Sequence, residues 1–375
     1  MKKVDHAGLR TWIEIDRKAI AHNYKQFRKL LKPSVRLMAI AKSNAYGHYF
    51  VDCVREMEKL GVDWIGVDSI TEALALRKEG IKIPILILGY TLPEKFEEAA
   101  KNDVSFAVST FESLSQLKKL KGRAKVHIKI DTGMHRHGFV PEQVPKLLAA
   151  LKKFPKNIEI EGVFSHLAAK DPSVLRTNHD QIRAFETVKA DFAEAGFSPL
   201  FHLCATWGTL AYPEAQYDMV RVGMGLYGHY PSALSRDEHA HMALHPALSW
   251  KSLLAEVKKL PVGGGVGYDL TEELPPGSVI GIVPVGYWHG VPRALSSKGY
   301  VLVRGKRARI VGRVSMDIIA ILLSDVFGAK VGDEVVLIGR QGREEVTAEE
   351  IAMHAATTPY EILTRLNPLM KRIFI

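Results

Sequence analysis

Lys42 closes the apolar run VRLMAIAK (35–42), and the chain then opens at once into Ser43, Asn44, Ala45, Tyr46, Gly47 and His48. A solvated lysine at a strand end is unremarkable chemically, whereas an amine at the mouth of a barrel is a nucleophile towards carbonyl carbon. Other apolar runs end in groups of similar character. KVHIKID leads into DTGMHRHGF with Arg136, IEIEGVFSH ends in His166, LFHLCA carries His202 and leads to Thr206, and MVRVGMGLYG carries Arg221. No cluster of Asp, Glu or His has metal-ligand spacing. The glycine-rich turns after the last two runs, with Thr206, suit a phosphate. A lysine amine, a phosphate cradle and several cations point to a Schiff-base cofactor, pyridoxal phosphate. A cofactor-free Schiff-base aldolase and a phosphosugar enzyme fit the same residues and stay open at this point.

Those groups need elements that bring them to one place. Apolar runs at 35–42, 64–69, 83–90, 104–109, 125–131, 158–166, 200–205 and 219–228 alternate with stretches of helical spacing. Runs apolar on both faces suit parallel strands. Eight such units in roughly 200 residues predict a (β/α)8 barrel, whose catalytic groups sit at the carboxyl ends of its strands. That rule is what selects Lys42, Arg136, His166, His202 and Arg221. The eighth helix is poorly marked, and YPSALSRDEHAHMALHP holds it or the exit linker. After residue 245 short strands separated by Gly and Pro turns predict a mostly antiparallel β domain, with one helix near Thr347–Glu350. The expected division is residues 12–240 for the barrel and 241–375 for the β domain, with the strand inside residues 1–20 able to pair with the latter.

The 375 residues are 47% hydrophobic and 25% charged, an ordinary globular balance. The formal charge of +10 is scattered, and its densest patch, VRGKRARIVGR, alternates like a strand. Nothing there resembles a nucleic-acid module, and the bias favours small anionic ligands. Two cysteines, Cys53 and Cys204, argue against a disulfide framework and for a reducing compartment. No signal-peptide core and no run of transmembrane length is present, so a cytoplasmic protein with no membrane partner is expected.

AIAKSNAYGHY resembles the cofactor-lysine motif of alanine racemases, usually close to V-K-A-N-A-Y-G-H-G. KIDTGMHRHGF, GVFSHLA, RVGMGLYG, GVGYD, VPVGYWHG, GRVSMD and PYEILTRL match further blocks of that family in order. The resemblance spans essentially the whole chain and implies a homodimeric pyridoxal-5'-phosphate enzyme with the fold read above. It would interconvert L- and D-alanine by two bases and supply D-alanine for peptidoglycan. By that resemblance Lys42 carries the cofactor and is one base, and Tyr268 is the other, reaching into the partner subunit's barrel. Arg221 meets the pyridine nitrogen and Arg136 the phenolic oxygen. Tyr46, Thr206, Gly223, Met224 and Tyr360 surround the phosphate. His166 belongs to the network joining Arg221 to Tyr268, and His202 lies close to the cofactor. From the partner's β domain, Met316 offers its backbone N–H to the substrate carboxylate, and Tyr287 lines the entry. Lys129 matches a position that is carbamylated in some members, where it orients Arg136.

These residue types suit racemisation. The cofactor carries the difficult deprotonation, and bases on opposite faces allow inversion. An arginine, having only donors, leaves the pyridine nitrogen unprotonated. A weaker electron sink disfavours transamination. Some positions depart from the family pattern: Ala205 replaces an asparagine, Asp269 a glycine, and Trp288–His289 stand where Ala-Asp is common, which places them near the corridor. Serine or a broader amino-acid range is the second substrate reading. A cofactor-binding homeostasis protein is the non-enzyme alternative, although such proteins resemble the barrel alone.

Overall fold

The computed structural model describes residues 6–169, 174, 176–231 and 233–375. The chain divides into two compact units. One comprises Ala19–Ala45 and Phe50–His245, and the other residues 6–18, Tyr46–Tyr49 and Pro246–Ile375.

The first unit is a parallel barrel. Its strands are β2 (Arg36–Ile40), β3 (Trp64–Val67), β4 (Ile85–Ile87), β5 (Val104–Val108), β6 (Ala124–Lys129), β7 (Ile158–Phe164), β8 (Leu200–His202) and β9 (Met219–Val222); β1 belongs to the other unit. They pair in sequence order from β2 to β8, and β9 pairs with β2. An isolated parallel bridge between Ala205 and Arg221 closes the ring, with the Arg221 N–H donating to Cys204 O at 2.9 Å. β2, β3, β4 and β9 are buried almost throughout, as strands covered on both faces must be. Amphipathic helices such as Phe50–Leu60 and Arg176–Glu194 cover the outside. The linker YPSALSRDEHAHMALHP contains a helix, Ala233–Glu238, with Ser232 outside the described residues.

Register aligns the future site. Lys129 pairs with Phe164, and Phe164 with His202, across β6, β7 and β8. The register shifts between Val126 and His127, a bulge of the kind that re-aims side chains near functional sites. Opposite it stands Gly162, where a Cβ would lie 2.2 Å from the His127 ring. Gly162 therefore makes room for a histidine inside the barrel.

The second unit is built on a ten-stranded sheet. β1 (Thr11–Ile15) lies between β10 (Leu248–Leu253), antiparallel, and β20 (Lys371–Phe374), parallel. The order then runs from β10 through β18 (Glu334–Gln341), β15 (Tyr300–Val303), β16 (Lys306–Val311), β17 (Ile319–Leu322) and β14 (Val279–Val283) to β11 (Glu256–Lys259). β19 (Glu344–Val346) pairs with β18 alone. A separate hairpin joins β12 (Gly264–Gly265) to β13 (Glu273–Leu274). The Thr347 side chain caps the helix Ala348–His354 by accepting the Glu350 N–H, as its spacing predicts. Glu350 itself does not close a capping box; its carboxylate pairs with Arg307. Among the described residues no helix is long and apolar enough to cross a membrane.

Candidate active site

Lys42 follows β2 directly. Its amine is partly exposed and lies 3.3 Å from Asp68, at the end of β3. Glu72 braces this corner: one oxygen accepts the Ser43 N–H at 2.8 Å and the other the Asp68 N–H at 2.7 Å. Tyr227 donates its hydroxyl to Ile40 O at 3.0 Å, tying the turn after β9 to the end of β2. After Lys42 the backbone turns left-handed, with φ of 56°, 57°, 51° and 52° at Ser43, Asn44, Ala45 and Tyr46. Each such non-glycine residue costs about 1–2 kcal/mol. Asn44 helps to hold the turn by accepting the Phe50 N–H at 2.9 Å.

Arg221 is buried inside the barrel. Nη1 donates to His202 Nδ1 and His202 O at 2.9 and 3.0 Å. Nη2 donates to Ser165 O, Leu203 O and His166 Nδ1 at 2.7, 2.9 and 3.2 Å. Among the described residues Nε has no acceptor. The guanidinium pKa is lowered to about 10, by burial and by Arg136, against the opposing influence of Cys204. Because arginine can only donate, His202 Nδ1 must accept, which puts the His202 proton on Nε2. Nε2 lies 2.9 Å from His127 Nδ1, and His127 Nε2 lies 3.3 Å from Glu161. Glu161 also accepts from Ser105, at 2.5 Å. A chain of donors thus runs from Arg221 to a carboxylate in the barrel interior. Burial pushes both histidines down, so they are neutral relays. Burial pushes Glu161 up, but the His127 and Ser105 hydrogen bonds win and hold it below the ordinary range. Sequence reading missed Ser105, His127 and Glu161. His127 was within reach, because strand alternation puts it on the face of Lys129 and Asp131.

Lys129 sits beside this chain. Its amine lies 4.8 Å above the Phe164 ring and 3.4 Å from Ile130 O. Burial first, then Arg221 and Arg136, lower its pKa to about 7, with Asp131 acting in the opposite sense. Asp131 makes no hydrogen bond to Lys129. Its carboxylate caps the following loop, accepting the N–H groups of Gly133, Met134, His135 and Arg136 at 2.7–3.0 Å. Burial raises the Asp131 pKa and these four donors lower it, with a net decrease. The cap fixes the backbone of Arg136, whose side chain is exposed. Thr206 is buried, and its hydroxyl accepts the Gly223 N–H at 3.0 Å, shaping the turn that continues into Met224. The asparagine replaced by Ala205 is thus not what holds this turn. Cys204 is buried, which pushes its thiol up to about 12 and leaves it inert.

In the second unit Tyr268 lies at the tip of the β12–β13 hairpin and is 70% exposed. Asp269 has φ of +59°, the reason glycine is usual there, and aspartate tolerates this region better than most residues. Its carboxylate lies 2.9 Å from Arg313. Tyr287 and Met316 are brought together: the Tyr287 N–H donates to Ser315 O and the Trp288 N–H to Met316 O, both at 3.0 Å. Tyr287, Trp288 and Met316 are exposed. His289 is not a lining residue. It is buried, and its Nδ1 accepts the Gly286 N–H at 3.2 Å, so it closes the turn from within. Tyr46 and Tyr360 meet edge to face with ring centres 6.1 Å apart.

Residues 15–231 match the model of the alanine racemase N-terminal domain, and residues 247–374 that of the C-terminal domain. The alanine racemase of Symbiobacterium thermophilum is 38% identical, covering 99% of both chains. That of Leptospira interrogans is 36% identical, covering 97% of this chain and 96% of its own. The crystal structure of alanine racemase from Streptomyces lavendulae superposes with a TM-score of 0.90 at 34% identity, covering 98% of this chain and 97% of that one. The Bacillus anthracis enzyme with bound L-Ala-P gives 0.91 at 34% identity, covering 98% and 95%. With both family models matched in order and relatives this similar over nearly their whole length, the chain belongs to the alanine racemase family.

Proposed function

We propose that this chain interconverts L-alanine and D-alanine with pyridoxal 5'-phosphate, as a cytoplasmic homodimer that supplies D-alanine for peptidoglycan. The observation that carries the reading is Arg221. Its Nη atoms are committed to the barrel, and Nε has no acceptor among the described residues and stays available to a ligand. A ring nitrogen with a free lone pair is the complementary acceptor. The remaining groups fit the rest of the cofactor. Lys42, Arg136 and Arg221, with a half-neutral Lys129, supply positive charge that suits a phosphate dianion and an amino-acid carboxylate.

When bound, the cofactor supplies the conjugated electron sink that makes the substrate α-proton removable. Lys42 would hold the cofactor and would hold or return a proton on one face of the substrate. Asp68 keeps that amine in place. Tyr268 of the partner serves the other face. Arg221 would donate from Nε to the ring nitrogen and, being unable to accept, would favour that nitrogen without a proton. Its two histidine partners, His166 and His202, hold the guanidinium in that pose. Arg136 faces the phenolic oxygen. By the family resemblance Tyr46, Thr206, Gly223, Met224 and Tyr360 would hold the phosphate. Met316 N–H, with no acceptor among the described residues, takes the substrate carboxylate, and Tyr287 lines the corridor. A half-neutral Lys129 beside two arginines is the chemistry that carbon dioxide needs to form a carbamate, which would then orient Arg136.

Exposure of Tyr268, Tyr287 and Met316 supports the dimer, because a second copy would cover them. Two free, buried cysteines support a reducing compartment. The test is loss of circular dichroism from L-alanine, run beside L-serine and L-lysine, on protein whose visible absorbance is bleached by borohydride. A label recovered on the Lys42 peptide and turnover fastest with alanine are expected. A colourless protein, or a label elsewhere, would sink the proposal.

A further inference from the structure

Arg372 lies in β20 and is none of the residues assigned above. It is 5% exposed, and no carboxylate pairs with it among the described residues. Its guanidinium is spent on backbone carbonyls alone. Nε and Nη2 each lie 3.3 Å from Gly47 O. Nη1 donates to Asn367 O at 2.6 Å and Met370 O at 2.9 Å, and Nη2 to Leu366 O at 3.2 Å. Burying a cation among neutral partners is costly, and an apolar side chain could fill the same volume. What the guanidinium adds is direction: it draws Gly47 and the 366–370 turn to one centre.

Gly47 is the residue at which the left-handed run after Lys42 ends. Its own φ is +86°, and a Cβ there would lie 2.1 Å from Leu363 O. The Gly47 backbone therefore lies against the helix Pro359–Thr364, the helix that carries Tyr360. Tyr46, one residue earlier, packs its ring on Tyr360. His48, one residue later, meets Tyr46 O through Nδ1 at 3.0 Å. Consecutive strained residues persist only where their surroundings over-determine them. Arg372 supplies that constraint at the far end of the run, as Glu72 and Asn44 do nearer Lys42.

We infer that Arg372 is a positioning residue: by gripping Gly47 O it fixes the turn after Lys42 and so aims the Tyr46 hydroxyl at the cofactor phosphate. This rests on the pyridoxal-phosphate reading above. It separates the grip on phosphate from the grip on the ring, since Arg372 touches neither Lys42 nor Arg221.

The experiment titrates apo-protein with pyridoxal phosphate and, in parallel, with pyridoxal, which lacks the phosphate. Wild type, Arg372→Lys, Tyr46→Phe and the double variant are compared by absorbance. Arg372→Lys keeps the charge but cannot span the same carbonyls. It should weaken pyridoxal phosphate about tenfold, the worth of one hydrogen bond to a charged group, and pyridoxal less than about twofold. Tyr46→Phe should show the same selectivity, and the double variant should add little. Equal losses for both ligands, or none for either, would overturn the inference. Amide exchange at Gly47, His48 and Tyr49 provides a readout independent of any ligand. It should quicken by about tenfold or more in Arg372→Lys, and an unchanged rate would overturn the tether itself. Wild type binding the two ligands equally would instead refute the phosphate assignment, with the exchange result still deciding whether Arg372 holds the turn.

Discussion

Lys129 allows a prediction worked from its surroundings. Its amine titrates near 7 in the folded protein, down from 10.5, chiefly because it is buried and then because Arg221 and Arg136 oppose its charge. Between those two values the unfolded chain carries a proton on this amine and the native chain does not. Unfolding free energy must then rise with pH over that window. The deficit from a depressed lysine is fully present below the folded value and is relieved as pH climbs towards the unfolded one. At about 1.4 kcal/mol per unit, and with the native amine half protonated at the start, the gain is roughly 2 kcal/mol from about pH 7 to about pH 9. Lys129→Met deletes the titration and with it this contribution to the slope. The assay is urea unfolding of the apo-protein and the variant across that range, in carbon-dioxide-free buffer at fixed ionic strength. Wild type should gain on the variant by roughly 2 kcal/mol, while a difference constant to about 0.5 kcal/mol would refute the reasoning. Bicarbonate should stabilise wild type and not the variant, because a carbamate replaces a disfavoured cation with an anion beside two arginines. A carbon-13 carbamate resonance after labelled bicarbonate would identify the species directly.

Three further outcomes follow from named contacts. His127→Leu leaves the His202 Nε2 proton without an acceptor inside the barrel and takes from Glu161 one donor while Ser105 remains, and should lower unfolding free energy by about 2 kcal/mol, whereas Glu161→Gln, whose amide oxygen still accepts, should cost clearly less; equal losses would dismiss the relay. Tyr268→Phe removes one of two bases, so rates at saturating L- and D-alanine should fall unequally while kcat/KM falls equally, and an unchanged variant in both directions would exclude Tyr268 as a base. Gly47→Ala forces a Cβ to 2.1 Å from Leu363 O at a positive φ, and should lower the thermal midpoint by about 2–3 °C through a loss of about 2 kcal/mol; an unchanged midpoint would mean the turn can shift freely.

Much of this protein was legible from the chain alone because its signals are local or periodic. Apolar runs alternating with helical spacing specify a βα repeat, and the repeat specifies which strand ends share a face. Lys42, His166, His202 and Arg221 were selected by that rule before any contact was known. The same rule applied to the second strand would have reached Asp68, which closes WIGVD and proves to hold the Lys42 amine. Asp269 was recognised as a departure, and its positive φ and Arg313 partner account for it.

Other features have no local signature. Glu161 and Ser105 are ordinary polar residues on apolar strands until the barrel closes and places a histidine between Glu161 and His202. His289 reads as a corridor residue beside exposed Trp288, yet the turn folds it inward. Arg372 reads as a basic residue of a C-terminal strand, and only the fold brings it to the carbonyl of Gly47, whose sequence separation is 325 residues. Sequence determined the repeat, the lysine and its neighbours, because backbone periodicity and strand ends are properties of short stretches. Tertiary structure decided which buried polar groups find one another and how far a lysine is pushed towards neutrality. Burial and hydrogen-bond pairing depend on residues that the chain brings together only when it closes.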